Sequence, residues 1–512
     1  MNFPSLPQRQ TAAETLAACL VRLFPGAQIH RAEATQEGFV CDCFLPQPLG
    51  QEAVSLIEEH LRRFIKEDHP IKQLEMMREN ACQLLQHHGQ MALAEALRHH
   101  PDKIVPIIQI GDYYASPKNP VQDSTKEAGT IKILSITGGT ELTRIFGTTQ
   151  ANPQILKKFL KAYEAHRDHQ QLGREMQLFV SLPQFPGEFC WLPKGMIFFE
   201  ILYDWWKKAL QEYGFELISA PSSSALLQAQ NPQIFPIYWA QTAKKGELSS
   251  SPYGLLEASP RTVDNLQIVC TPDQVSKELI SSLQFFDKSL NIFGFESQWN
   301  LRGKRVPKAA GTRAQWEQSV RWLVGALEAR GYSPSVDEKD ATVDGPCLEL
   351  HIRDALGREW PLAYVCVDLS AKNLPVVLSL SLLHSFERLT ALILEQTGGK
   401  LPLWLAPEQV RVIPMAVRHG VYASEVAATL AAKGLRVVVD ASEEKLGSKV
   451  HAAEKERVPY MVILGDKELK EGLISVRVAG EEGLKPIELK SLVEELFAKG
   501  SESFNEVKQI ES

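Results

Sequence analysis

The chain has 512 residues, more than one hydrophobic core can organise and about enough for three domains. A hydrophobic share of 44% and a charged share of 23% are those of an ordinary soluble globular protein. Asp and Glu outnumber Lys and Arg by 62 to 55, which excludes a non-specific nucleic-acid coat protein and leaves room for a specific RNA binder with a local basic face.

In chain order, the opening stretch MNFPSLPQRQTAAETLAACLVRLFPG carries neither a basic leader nor a signal-peptide core, so a cytoplasmic protein is expected. Within residues 1–150, TAAETLAACLVRLF and EAVSLIEEHLRRFIKE repeat apolar residues at i, i+3 and i+4, as amphipathic helices do, while FVCDCFL alternates as a strand does. The Pro, Ser, Asn and Gly of residues 112–130 predict a surface loop. One long polar helix over 153–179 is expected to link two domains, within a linker of 151–179. From 180 to 402 come the aromatic helix GMIFFEILYDWWKKALQEYG, the β-like runs LISAP, LQIVC, CLELHI and LAYVCVDL, and a helix near 378–395. Strands in this order with few helices between them predict a largely antiparallel sheet. Residues 403–498 alternate strand and helix as a compact α/β unit with parallel connections, and 499–512 form a polar tail. The most apolar stretch, LPVVLSLSLLHSFERLTALIL, is broken by His384, Glu387 and Arg388 and cannot span a bilayer.

Eight cysteines are scattered along the chain, only Cys41 and Cys43 lie close together, and no CxxC pair occurs. That excludes a zinc ribbon or thioredoxin-type site and leads to the expectation of a reduced protein. In VDNLQIVCTPDQV (263–275), Ile268 and Val269 supply strand character, and Asp273 stands before the amphipathic run QVSKELISSL. Cys270 ends the strand, and the residues alone admit either a metal-site remnant or plain core.

The C-terminal stretches PLWLAPEQVRVIP, KGLRVVVD, EKLGSKV, VPYMVILGDKE and ISVRV resemble the anticodon-binding domain of threonyl-tRNA synthetases. DALGREW, IVCTPDQV, FERL and AHRDHQQLGREMQLF resemble the class II catalytic domain of the same enzymes, and LFPGA, GFVCDCF, IKEDHPI and LTRIFGT resemble their editing domain. These matches run in family order over about residues 9–498. The resemblance implies an α+β multidomain fold: an editing-like domain, a class II antiparallel core, and a C-terminal α/β anticodon-binding domain. It also implies a homodimer formed through the segment from Gly195 to Pro221, whose Phe/Trp stripe reads equally as core.

Residue by residue, the resemblance implies lost chemistry. Where the family has two zinc-binding histidines this chain has Gln267 and Ser379, and a threonine-contacting Asp becomes Asn265. The family's Asn-Cys-Pro-Gly-His stretch has no counterpart, so no metal is expected. A replacement zinc site from Cys270, Cys347, Cys366, His351 or His384 is the weighed alternative. Lys245 stands for the first phosphate-gripping arginine beside a retained Glu247, and Glu257 for the second. Two charges about 4 Å apart interact by roughly 4 kcal/mol at a dielectric near 20, so that reversal of sign is costly to phosphate binding. Arg388 remains where the family stacks an arginine on adenine, His384 replaces the Gly that admits ATP, and Pro361, Cys366 and Cys347 replace polar site residues. Away from any nucleotide, Lys245 reads as a solvated loop charge and Arg388 as a helix-face pair with Glu387. In the editing part, Gln10 and Glu14 stand at the positions of a His-x-x-x-His helix, which leaves no group to activate water. In the anticodon part, Glu468 and Arg477 match base-reading positions, while Glu443 and His451 replace an asparagine and an arginine.

The expected function is that of a synthetase-like paralogue without aminoacylation or editing, binding tRNA, a tRNA-like RNA or a protein partner, with no cofactor. The alternatives are an active threonine–tRNA ligase using ATP at an atypical zinc-free site, and a structural partner of a true synthetase.

Overall fold

The computed structural model describes residues 3–47, 49–138, 142–165, 168–182, 185, 187–220, 226, 234–246, 251, 253–333, 335–370, 375–481 and 483–505. The chain divides into two compact units, Met1–His166 with Leu356–Arg358, and Arg167–Ala355 with Glu359–Ser512.

The first unit begins with α1 (Leu6–Leu23), capped by the Ser5 hydroxyl, which accepts from the Gln8 N–H. Its strands β1 (Gln28–Ala34) and β2 (Gly38–Phe44) join the later β6 (Thr130–Gly138) and β7 (Thr143–Gln150) in an antiparallel sheet of order β1-β2-β7-β6. Helix α2 (Val54–Glu67) packs on that sheet with α1, and Ile57, Leu61 and Phe64 enter the core beside Leu16, Ala17 and Leu20. A smaller sheet of β3 (Ile71–Met77), β4 (Ile104–Ile110) and β5 (Tyr113–Ala115) is flanked by α3 (Arg78–His87) and α4 (Met91–Arg98). Helix α5 (Pro153–Ala165) ends the continuous part of this unit.

The expected single helix over 153–179 is in fact α5 and a separate α6 (His169–Glu175) in the second unit. Asp168 is extended and its carboxylate accepts from the Gln170 N–H at 2.9 Å, so a new helix is capped there instead of the old one continuing. After β8 (Phe179–Ser181) and β9 (Phe189–Trp191) comes α7 (Pro193–Tyr213), the aromatic helix, with Phe198, Leu202, Trp206 and Leu210 fully buried.

Against it lies the main sheet of the described residues, built from β10 (Glu216–Leu217), β11 (Ile237–Lys245), β12 (Arg261–Cys270), β13 (Ser297–Lys304), β14 (Ser335–Asp340), β15 (Cys347–Arg353), β16 (Glu359–Asp368) and β17 (Val376–Ser381). The strand order is β10-β11-β12-β17-β16-β15-β13-β14, antiparallel except at its two edge pairs. Helices α8 (Val275–Asn291), α9 (Arg313–Ala329) and α10 (Phe386–Thr397) complete the layer. Leu266, Ile268 and Cys270 point into one core with Phe286, Leu378 and Phe386, so Cys270 is core. The alternate residues of the same strands form the opposite, polar face.

The last part is a five-stranded sheet of order β19-β18-β20-β21-β22: β18 (Val410–Pro414), β19 (Val437–Val439), β20 (Tyr460–Leu464), β21 (Ile474–Val478) and β22 (Lys485–Ile487). β18 pairs in parallel with β19 and β20, through α11 (Gly420–Ala431) and α12 (Leu446–Lys455). The short α13 (Asp466–Glu471) precedes the antiparallel β21, and α14 (Leu489–Asn505) closes the fold, Leu492 and Leu496 buried. Among the described residues no helix is long and apolar enough to cross a membrane.

Candidate functional site

The polar face of the main sheet collects the positions singled out in the catalytic part. Gln267 on β12 lies directly opposite Ser379 on β17, Ser379 opposite Cys366 on β16, and Cys366 opposite Cys347 on β15. Directly opposed antiparallel residues share a face, so these four form one row across the floor, with Asn265 two residues along the same face. The two histidine-replacing positions are thus neighbours, as a shared ligand would require. Their chemistry does not suit zinc: an amide and a hydroxyl are poor ligands, and the Ser379 Oγ donates to Asp368 Oδ2 at 3.4 Å. Among the described residues no group of three His, Cys, Asp or Glu side chains could hold a metal. Cys347 and Cys366 are joined in a disulfide, which corrects the expectation of a fully reduced chain: β-sheet register brings their Cα atoms to 4.1 Å.

The nucleotide positions are arranged unlike a phosphate grip. Lys245 is exposed at the end of β11 opposite Arg261, and Glu247 lies outside the described residues. Glu257 accepts from the Ser251 hydroxyl at 2.7 Å. Arg388 is tied inward: its Nε donates to the Leu256 carbonyl at 2.7 Å and an Nη to the Pro361 carbonyl at 2.6 Å, with the guanidinium 5.4 Å over the Trp360 ring. With 6% of its surface exposed it offers little to a stacked base, and burial together with the Arg261 charge pushes its pKa down to about 10. It makes no pair with Glu387, contrary to the helix-face reading, because Glu387 is taken by the Thr262 N–H at 2.8 Å and the Thr262 hydroxyl at 2.9 Å. Burial, then the Arg388 and Arg261 charges, hold His384 neutral with its pKa near 3.

Two buried groups escaped the sequence reading. Asp264 is a hub that accepts from Ser381 Oγ at 2.5 Å, Trp206 Nε1 at 3.0 Å and the backbone of Leu382 and Leu383 at 3.0–3.2 Å. His169 accepts the Leu255 N–H at Nε2, 3.1 Å, so its Nδ1–H donates to Glu395 at 2.7 Å, and this holds the turn Gly254–Glu257 in place. Asp264 sits within an alternating strand, a sequence signal for burial but not for its partners.

In the first unit, Gln10 and Glu14 lie one turn apart on α1 and are fully enclosed. The Gln10 amide donates to Glu14 Oε1 at 3.0 Å and to the Ala32 carbonyl at 2.9 Å, and accepts from Ala34 N and Asn119 Nδ2. Tyr113 donates to Glu14 Oε2 at 3.1 Å. Burial raises the Glu14 pKa to about 8 against the pull of those hydrogen bonds, so near neutral pH it is largely an uncharged acid. The named partners consume the polar atoms that a hydrolytic site would have to aim at substrate.

On the C-terminal sheet, Glu468 Oε1 accepts from Ser475 Oγ at 2.7 Å and Oε2 from the Gly465 N–H at 2.9 Å. Arg477, two residues along the same face of β21 from Ser475, reaches Glu454 on α12 at 2.5 Å. His451 is exposed one turn before Glu454, and Glu443 is exposed in the loop ahead of α12. The exposed Met415 and Leu469 stand beside Glu468, and Val417 and Val421 are 78% and 74% exposed nearby at the start of α11. Glu468, held to Ser475 of β21, and Arg477 on that strand thus lie among exposed charged and apolar groups, while Glu443 and His451 are solvent-exposed.

Residues 409–499 match the family model of the anticodon binding domain. The chain is 29% identical to a threonine–tRNA ligase of Aquifex aeolicus, the alignment covering 95% of this chain and 88% of that protein. It is 27% identical to one of Acetivibrio thermocellus, covering 95% and 87%. Among solved structures, the RNA binding domain of threonyl-tRNA synthetase from Cryptosporidium parvum superposes with a TM-score of 0.60 at 24% identity, over 65% of this chain and 98% of that one. A putative threonyl-tRNA synthetase of Aeropyrum pernix gives 0.54 at 19%, over 66% and 97%. With relatives matched along nearly its whole length and an anticodon-binding module at its C-terminal end, the chain is similar throughout to threonine–tRNA ligases.

Proposed function

We propose that this protein keeps the synthetase scaffold without aminoacylation or editing and works by binding a tRNA or tRNA-like RNA through its anticodon-binding domain, in the cytoplasm and as a homodimer formed by the segment around Gly195. The observation that carries the reading is the facing pair Gln267 and Ser379, an amide and a hydroxyl where the family resemblance calls for two imidazoles. Support comes from Arg388, whose donors are spent on backbone carbonyls, and from the closed Gln10–Glu14–Tyr113 network.

Threonine-dependent exchange of pyrophosphate into ATP, measured with zinc analysis of the purified protein, is the test. Exchange at the rate of a genuine ligase, or stoichiometric zinc, would overturn the loss of activity. For RNA, a gel-shift with total tRNA in modest salt should show a selective band that Arg477→Ala weakens, with affinity falling as salt rises. The absence of any band removes the RNA reading. A second reading, an active ligase with an atypical site, is favoured by the relatives, which are themselves threonine–tRNA ligases matched over 95% of this chain. The exchange assay decides between the two.

A further inference from the structure

Of the eight cysteines, the two bonded to each other stand in the row that crosses the polar face of the main sheet. Four of the five buried free thiols differ in kind: Cys19 and Cys270 are pushed up to about 12 by burial, Cys82 is raised by burial, and Cys41 is raised by its hydrogen bond to Cys43 and by burial. Such thiols stay protonated and unreactive. Cys347 and Cys366 lie instead on neighbouring strands as direct partners, and Arg302 on β13 faces Cys347 from the other side. Cys366 is the more open of the two, 7% exposed against 1%, and it borders the partly exposed Ser379.

The surroundings also suit both oxidation states. The Gly345 carbonyl, which accepts from the Thr342 hydroxyl at 2.9 Å, lies 3.5 Å from the Cys347 sulfur, and its second lone pair can accept from a thiol. We infer that Cys347 and Cys366 form a reversible dithiol–disulfide pair that takes low-molecular-weight disulfides of the glutathione class as its oxidant and their thiols as its reductant. Oxidation starts when the Cys366 thiolate attacks one sulfur of the small disulfide, giving a mixed disulfide and releasing one small thiolate. The Cys347 thiolate then attacks the Cys366 sulfur and releases the second. Two protein thiols are oxidised, one small disulfide is reduced to two thiols, and the protons of the cysteines pass to the released thiolates. The bond ties β15 to β16 beside Ser379, so its state changes how firmly this part of the main sheet is held. In a reducing compartment, disulfides of this kind are usually transient and redox-sensing.

The test is native alkylation of the full-length protein after equilibration across a series of reduced-to-oxidised glutathione ratios, read by peptide mass spectrometry. The expected result is that Cys347 and Cys366 pass together from fully alkylated to fully protected across the series. Hydrogen exchange in residues 347–353 and 359–368 should slow in step. Alkylation of both cysteines at every ratio would show a pair of plain thiols and overturn the inference. Protection that persists in excess reduced glutathione would show a permanent structural bond and overturn it as well. The outcome does not depend on whether the protein aminoacylates, so it stands or falls apart from the proposed function.

Discussion

Glu14 shows what became of a position that the family resemblance assigns to hydrolysis. A carboxyl 2% exposed has no water to stabilise its charge, and two hydrogen bonds do not offset that cost. Its pKa of about 8 against an ordinary 4.5 means the folded state holds a proton that the unfolded chain releases. The resulting stability is fully present below about pH 4.5 and is lost as pH rises through about 8. Glu14→Gln keeps the shape and both hydrogen-bond partners but cannot ionise. Its melting temperature should therefore fall less than the wild type's between about pH 5 and pH 8, and parallel profiles would refute the assignment. Trp206 makes a similar point at Asp264: Trp206→Phe removes one donor to a buried carboxyl group and leaves unfilled the space of the indole's second ring. A loss of about 1–3 kcal/mol is expected in chemical denaturation.

At the scale of elements, strand identity was legible and strand pairing was not. CLELHI and LAYVCVDL read as strands from their alternation, and the aromatic stripe of α7 read as a buried face, because periodicity reports which side of an element is covered. The disulfide was missed because pairing depends on register. Yet Cys347 and Cys366 stand nearly the same distance either side of the turn at 354–358, so folding the two runs into one hairpin would have paired them. The break between α5 and α6 was missed for a different reason, since Asp168 as a cap is a one-residue signal inside an otherwise helical pattern. Arg388 was legible as a residue but not in its role, which rests on carbonyls 27 and 132 positions away. Register also carries a gain-of-function prediction. Because Gln267 and Ser379 face each other, the double variant Gln267→His, Ser379→His should bind zinc or cobalt at least about tenfold more tightly than wild type by titration, as two neutral imidazoles replace two poor ligands. Unchanged affinity would mean that the two side chains do not converge.

At the scale of the second unit, one charged cluster joins the catalytic-like part to the C-terminal sheet. Lys194, at the start of α7, meets Glu408 and Glu456 at 2.5 Å each, and Arg411 on β18 meets Glu408 at 2.7 Å and Glu456 at 2.6 Å. Glu408 and Arg411 are buried, so their attraction is weakly screened, while each alone would be a costly uncompensated charge. A cluster of this kind makes two sheets unfold together, because separating them exposes every member at once. Arg411→Ala should destabilise the protein by about 3–5 kcal/mol, the range for breaking a buried ion pair by removing one partner. Lys194 is the member that crosses from the catalytic-like part, so Lys194→Ala should split the calorimetric transition of this unit as the C-terminal sheet loses its coupling to the rest. In the wild type, raising salt should leave the midpoint of that transition nearly unchanged, which separates this buried network from exposed pairs such as Arg418–Asp466. A single, unshifted transition in the Lys194→Ala variant would show that apolar packing, not this cluster, holds the two sheets together.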